Sequence, residues 1–300
     1  MAKRLLVLTL SIGATALGAC GGPATPSRTA GSTPAEGWLA WSADERGAAR
    51  TTWLDPEGQP IGEREGIVIA AGEELIEVVP EVESVVLPTC EDVEAGRPPS
   101  GGGETGIRTR LVAVSLGSGA RRTLVEPLEV PGAASLRHVI VPVASLGPYL
   151  FARESAEVFA CGAHGNVDVA MRVIDLRTGL PAELAVPVEQ ELVERARPVL
   201  AEEIEGAVEE VDPVHRVATY PVIEDGHVEL EHVLTTEVCY ACGDGEWSSY
   251  TRATELRDPR VPPLLAQHAI LPAPIARWLA TQRDVQGVSS ASNGQLTAFR

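Results

Sequence analysis

Between Trp38 and Leu184 the apolar residues fall into short runs of four to eight residues: Trp38–Trp41, Thr51–Leu54, Ile67–Ala70, Ser84–Leu87, Leu111–Leu116, His138–Val143, Tyr149–Ala152 and Val169–Leu176. Runs of this length bounded by turn residues are too short for helices and read as strands. Asp55-Pro56-Glu57-Gly58, Ser115-Leu116-Gly117-Ser118-Gly119 and Asp175-Leu176-Arg177-Thr178-Gly179 are turns of the hairpin kind. Their closing glycines are 61 and 60 residues apart, which raises a β-propeller-like scaffold as an alternative, although a blade takes about 40–50 residues. The stretch EDVEAGRPPSGGGETG, residues 91–106, reads as a long surface loop.

The second half changes period. From Val188 to Val211, Val188, Leu192, Val193, Ala196, Leu200, Ile204 and Val208 recur at helical spacing while glutamates fill the other face. Pro198 is expected to kink or divide this helix, because its ring blocks the preceding turn. Ala218–Ile223, Val228–Leu234 and Ser248–Leu256 read as a β-meander, and Pro262–Gln267 and Pro274–Ala280 as short helices opening on proline. The fold class expected is α+β: an antiparallel β-rich first half, a long amphipathic helix packed on a meander, then short C-terminal helices. The expected divisions are a β-rich region at 37–145, an α+β domain at 146–280 and a disordered tail at 281–300, which holds few apolar residues.

Ahead of all this, Lys3 and Arg4, an apolar run from Leu5 to Leu17 and the residues Leu17-Gly18-Ala19-Cys20 make a secretory signal ending in a bacterial lipobox. Cleavage before Cys20 leaves that cysteine to be acylated, and Gly21 fits outer-membrane sorting. Residues 20–36, rich in Gly, Pro, Ser and Thr, are then the lipidated cysteine and a flexible tether. Residues 1–19 carry two of the 24 basic residues and none of the 42 acidic ones, so the mature chain has formal charge −20. An acidic surface repels phosphate backbones and steers cations, which argues against nucleic acid and for a basic envelope protein as partner.

With Cys20 committed to lipid, Cys90, Cys161, Cys239 and Cys242 remain. In an oxidising compartment an even number reads as disulfides. Of the three connectivities, Cys239–Cys242 with Cys90–Cys161 is favoured, because a two-residue spacing closes in a hairpin tip. The alternative is a zinc tetrahedron from Cys161, His164, Cys239 and Cys242, which leaves Cys90 unpaired.

Cys161-Gly162-Ala163-His164-Gly165, a strand over Val167–Ile174, the turn from Asp175 through Thr178 to Gly179 and Leu184 ahead of the helix resemble, in that order, a family of paired extracellular domains of unknown function. Such domains occur in lysozyme-sensing anti-sigma factors and peptidoglycan-deacetylase-associated proteins. The likeness spans roughly residues 146–267. The tip Cys239-Tyr240-Ala241-Cys242-Gly243-Asp244-Gly245 departs from the apolar or aromatic tip of relatives. The resemblance implies an exported, envelope-facing domain that binds, with a lysozyme-like enzyme as one possible partner, and has no chemistry of its own.

Candidate catalytic groups are sparse. Histidine is the side chain suited to proton transfer near neutral pH, which makes His164 a candidate base or ligand, but its glycine neighbours point to close backbone approach, with the imidazole tying strands together. A nucleophile elbow is missing, since Ser115-Leu116-Gly117-Ser118-Gly119 lacks the leading glycine. Glu73-Glu74, Glu202-Glu203 and Glu209-Glu210 are adjacent pairs that cannot face each other. No phosphate loop appears, so no cofactor is expected. A cell-wall-modifying enzyme, zinc-dependent or otherwise, and a structural envelope component are the alternatives to a non-catalytic binding module. Tyr240, Trp247 and Tyr250 beside the bridged tip are the binding candidates.

Overall fold

The computed structural model describes residues 36–162, 164–186, 188–203, 213–292, 295 and 297–299. The signal, Cys20 and nearly all of the tether lie outside the described residues. In chain order the strands begin β1 (Glu36–Ala43), β2 (Ala49–Leu54), β3 (Pro60–Glu65), β4 (Ile67–Ala71) and β5 (Glu74–Val86), followed by a one-turn helix α1 (Cys90–Glu94). Then come β6 (Thr105–Ser115), β7 (Arg121–Val125), β8 (Ser135–Leu146), β9 (Tyr149–Phe159), β10 (Asn166–Asp175) and the short β11 (Leu180–Pro181). Helix α2 (Glu189–Glu203) leads into β12 (His215–Glu224), β13 (His227–Glu237) and β14 (Thr251–Asp258). Helices α3 (Pro263–Ala269) and α4 (Ala273–Leu279) precede the last strand, β15 (Val285–Ser292). The fold is mixed α and β with a β-rich first half.

The principal sheet has twelve strands in the order β11-β10-β9-β8-β15-β1-β2-β3, with β4-β5-β6-β7 joined to it where β6 meets β8 at Ile107 and Arg137. A propeller is excluded, because the three glycine turns close ordinary hairpins of one continuous sheet rather than separate blades. The division expected at 145/146 falls inside β8, which pairs with β9 and β15, so the sheet crosses it.

β15 overturns the disordered tail. It lies between β1, antiparallel from Glu36↔Ser292 to Ser42↔Val285, and β8, parallel at Gly287↔Ser145 and Val288↔Leu146. The segment VQGVSSAS is poor in apolar residues because its place demands small ones. A Cβ added to Gly287 would stand 2.1 Å from Ser145 Oγ and 2.2 Å from Trp41 Nε1. The Ser289 hydroxyl accepts from Ala70 N at 3.0 Å, so even its polar atoms serve the interior. Beyond β15, Phe299 packs edge-on against Trp53, and Gln295 donates to the Gly72 and Glu74 carbonyls.

Strand alternation assigns the layers. Leu39 and Trp41 of β1 face the β4–β7 layer, Trp41 among Ile67, Ile69 and Ile76, and Leu39 among Val68 and Leu75. Ala40, between them, faces the opposite way into a cluster with Leu265 of α3, Ile275 and Leu279 of α4 and Leu230 of β13. The meander β12-β13-β14 forms a second, three-stranded antiparallel sheet. Its neighbours Val233 and Leu234 point to opposite faces: Val233 meets Val169 of β10, and Leu234 meets Leu192, Ala196 and Leu200 of α2.

Helix α2 thus packs on the meander as its period predicts. Pro198 does not divide it; the helix continues through the proline, which lies on the exposed side where the Glu194 carbonyl left without its donor can turn to water. Residues 204–212 of the expected helix lie outside the described residues. Among the described residues no helix is long and apolar enough to cross a membrane.

Candidate functional site

Two loops converge beside the start of β10. The β9–β10 loop carries Cys161, in the left-handed region at φ 59°, and His164. The β13–β14 loop begins with a single 3₁₀ turn at Tyr240–Cys242. Both disulfides form in the favoured pairing: Cys90–Cys161 with Cα atoms 5.4 Å apart, and Cys239–Cys242 with Cα atoms 5.0 Å apart. The first bridge fastens α1, and with it the 91–106 segment, to the β9–β10 loop. That segment is not free loop. Ser100 and Thr89 hydroxyls donate to Asp92 Oδ2 at 2.6 and 2.9 Å, and Arg97 Nε donates to Oδ1 at 3.2 Å. These donors, Ser100 first, hold the buried Asp92 carboxyl far below the usual carboxylate range.

The β13–β14 loop is fixed along its length. Arg252 Nε donates to the Cys242 carbonyl at 2.6 Å, and the Asp244 carboxylate accepts from Glu246 N at 2.9 Å and Ala253 N at 2.8 Å. It is also laced to β10: Val169 N donates to Trp247 O at 2.8 Å, Ser249 N to Val167 O at 3.1 Å, and Val167 N to Ser249 Oγ at 2.9 Å. Trp247 drives this docking. It is 6 % exposed, packed among Val169, Ala218 and Val233, with the Arg153 guanidinium 5.2 Å from its ring. Of the three binding candidates Trp247 is therefore withdrawn: its ring is in the core and offers nothing to a partner.

What the docking brings together is a ring cluster. His164 stacks on Tyr240, centroids 3.8 Å apart and planes 25° apart, and Tyr250 lies 5.5 Å from Tyr240 and 6.3 Å from His164. Tyr240 and Tyr250 are 40 % and 41 % exposed, unusual for large rings, and His164 is exposed too. His164 corrects its expected role. Its Nδ1 lies 3.3 Å from the Gly165 carbonyl, but the ring ties no strands together, and a Cβ on Gly162 would meet open space. A Cβ on Gly165 would stand 3.4 Å from the Val158 carbonyl, an ordinary contact, so neither glycine is demanded by a close approach. Ala163 lies outside the described residues.

The other motif of the resemblance, Asp175, Thr178 and Gly179, closes the opposite end of β10. Gly179, at φ 73°, sends its N–H to Asp175 O at 2.7 Å, and Arg122 covers it so closely that a Cβ would stand 2.4 Å from the guanidinium. Thr178 Oγ1 donates to Asp175 O at 3.3 Å. Arg177 grips the Asp175 carboxylate and donates to Tyr149 OH at 2.7 Å, and it holds Asp175 below the ordinary carboxylate pKa. β10 spans ten residues, roughly 30 Å of extended chain, so this turn is architectural and remote from the rings.

The zinc set Cys161, His164, Cys239 and Cys242 is not assembled, because its three sulfurs are consumed in disulfides. Among the described residues no group of three His, Cys, Asp or Glu is placed to hold a metal. The rim instead carries carboxylates that sequence reasoning passed over. Asp168, Glu237 and Glu246, on the three segments bearing or flanking the rings, are exposed, and none is in an ion pair among the described residues. Their only signal was alternation with buried neighbours such as Val169 and Trp247. Rings and unpaired carboxylates on rigid loops can bind; they provide no nucleophile with a base beside it. Compared with protein-family models, curated proteins and solved structures, the chain matches none.

Proposed function

We propose that the protein is a lipid-anchored, non-catalytic binding module of the bacterial cell envelope, held at the outer membrane through Cys20, which captures a basic protein such as a lysozyme-like enzyme on the His164–Tyr240–Tyr250 rim. The observation that carries the reading is that rim: three exposed rings from two loops 76 positions apart in sequence, one fastened to α1 by Cys90–Cys161 and the other closed on itself by Cys239–Cys242. Aromatic anchors on preorganised loops bind without the cost of ordering them. The formal charge of −18 favours a basic partner. The likeness of residues 146–267 to extracellular domains of lysozyme-sensing anti-sigma factors agrees with both.

The test is capture of a lysozyme by the mature protein in detergent. Binding at low ionic strength that weakens at high salt, and that falls at least tenfold in the Tyr240→Ala/Tyr250→Ala double variant, is the expected result. Equal capture by the double variant would move the site elsewhere, and no capture would remove this partner.

A further inference from the structure

The rim has a chemistry narrower than general stickiness, and we propose that Tyr240 and Tyr250 form a receptor for one cationic side chain of the partner, a lysine ammonium or an arginine guanidinium. This deepens the binding-module reading and rests on it.

The ring geometry is the first ground. The face of Tyr240 against His164 is covered by a near-parallel stack, and Tyr250 stands at 58° to Tyr240 with centroids 5.5 Å apart. Two tilted phenol rings, partly exposed, form the corner of a shallow cage whose open faces carry the negative side of the ring quadrupole.

Charge is the second. Asp168 on β10, Glu237 at the end of β13 and Glu246 on the β13–β14 loop surround the rings in sequence and pairing, exposed and without an ion pair among the described residues. Asp168 is paired with Ser248, two residues before Tyr250, and Glu237 with Thr251, the residue after it. Two guanidiniums reach this loop from the flanking strands, Arg252 of β14 at the Cys242 carbonyl and Arg153 of β9 at the Trp247 ring and the Glu246 carbonyl. The rim is therefore electron-rich rings beside three carboxylates that the two guanidiniums offset only in part. A neutral sugar would use the rings and ignore the charge; a cation uses both.

Rigidity is the third. The Cys239–Cys242 bridge, the Cys242 carbonyl bond and the Asp244 clamp fix the loop before any ligand arrives, so a contact as small as one side chain is not lost to loop ordering.

The experiment titrates the mature protein with N-acetyl-lysine amide, its analogue lacking the ammonium group N-acetyl-norleucine amide and a chito-oligosaccharide, following the Tyr240 and Tyr250 ring resonances. Lysine amide should shift both rings, norleucine amide and sugar should not, and Tyr240→Leu should weaken the lysine response about tenfold while Tyr240→Phe retains it. Equal shifts from norleucine amide would overturn the proposal in favour of an apolar anchor, and shifts from the sugar alone would assign a glycan surface. Retention of lysine binding in Tyr240→Leu would overturn it as well. A lysine response in a protein that fails to capture lysozyme keeps this inference and removes that partner; capture of lysozyme without a lysine response does the reverse.

Discussion

The indole N–H of Trp41 on β1 donates to the Ser145 hydroxyl on β8 across 2.7 Å, and Gly287 of the strand between them lies directly against both. The gap closed by that bond leaves no room for a side chain. Gly287→Val should destabilise the protein by about 3 kcal/mol or more, as overpacking against fixed neighbours does. Ser145→Ala, which orphans the buried indole N–H, should cost about 1–3 kcal/mol. Urea denaturation midpoints check both, and a Gly287→Val protein as stable as wild type would deny that β15 occupies this position.

Trp247→Ala should lose about 3–5 kcal/mol, the cost of emptying a buried aromatic site. Because the ring pins the β13–β14 loop to β10, partner capture should fall in proportion to loop order. Tyr250→Ala should instead leave the thermal midpoint within a degree or two and change capture alone. Parallel melting and binding curves separate the two.

The two disulfides should differ in what they stabilise. Cys90–Cys161 spans 71 positions and Cys239–Cys242 spans three. Loop-closure entropy assigns about 4 kcal/mol to the first and about 2 kcal/mol to the second. The double variant Cys90→Ser/Cys161→Ser should therefore lower the denaturation midpoint about twice as much as Cys239→Ser/Cys242→Ser, whose further effect should show in the Tyr240 ring.

Acid should unfold the meander through a buried histidine. His232 is fully buried beneath α2, its Nδ1 2.8 Å from Thr219 Oγ1 and its Nε2 without a hydrogen-bond partner among the described residues. Burial first, then the Arg216 charge, pushes its pKa down to about 4. The unfolded chain, with histidine near 6.5, takes up the proton first, so this contribution is complete above pH 6.5 and is lost as pH falls toward 4, about 3 kcal/mol in all. Asp258, held at about 2 chiefly by its bond to Arg260, contributes in the same sense from pH 4 down to 2. His232→Gln should flatten the stability profile between pH 6.5 and 4 and leave the lower limb; an unchanged profile would exclude His232 as the cause.

Much of the architecture was legible where one face of an element is buried and the other is not. Leu39 and Trp41 alternate with half-buried or small neighbours, and Leu192, Ala196 and Leu200 recur every four residues, so strand and helix announced themselves. The cysteine pairing followed from spacing alone. β15 did not announce itself, because a strand hydrogen-bonded on both edges between crowded layers is held by backbone and fitted with Gly287 and Ser289, residues that resemble a solvated tail. β3 and β7, with patterns of mostly exposed and half-exposed residues, gave no apolar period either. The rim was half visible: Tyr240 and Tyr250 stood out by composition, but their meeting with His164 depends on Trp247 docking across two sheets, and no local pattern encodes that.

The position of β15 sets an order of events. β15 is the strand that β1 and β8 flank, so until residues 285–292 pair, those two strands present open edges to each other and to any other chain. Completion of the sheet is a long-range closure that brings residues 285–292 back to residues 36–43, slow by its contact order. The sheet therefore closes only once residues 285–292 are in place, and a variant lacking them exposes two strand edges, a template for aggregation rather than a slightly shorter protein.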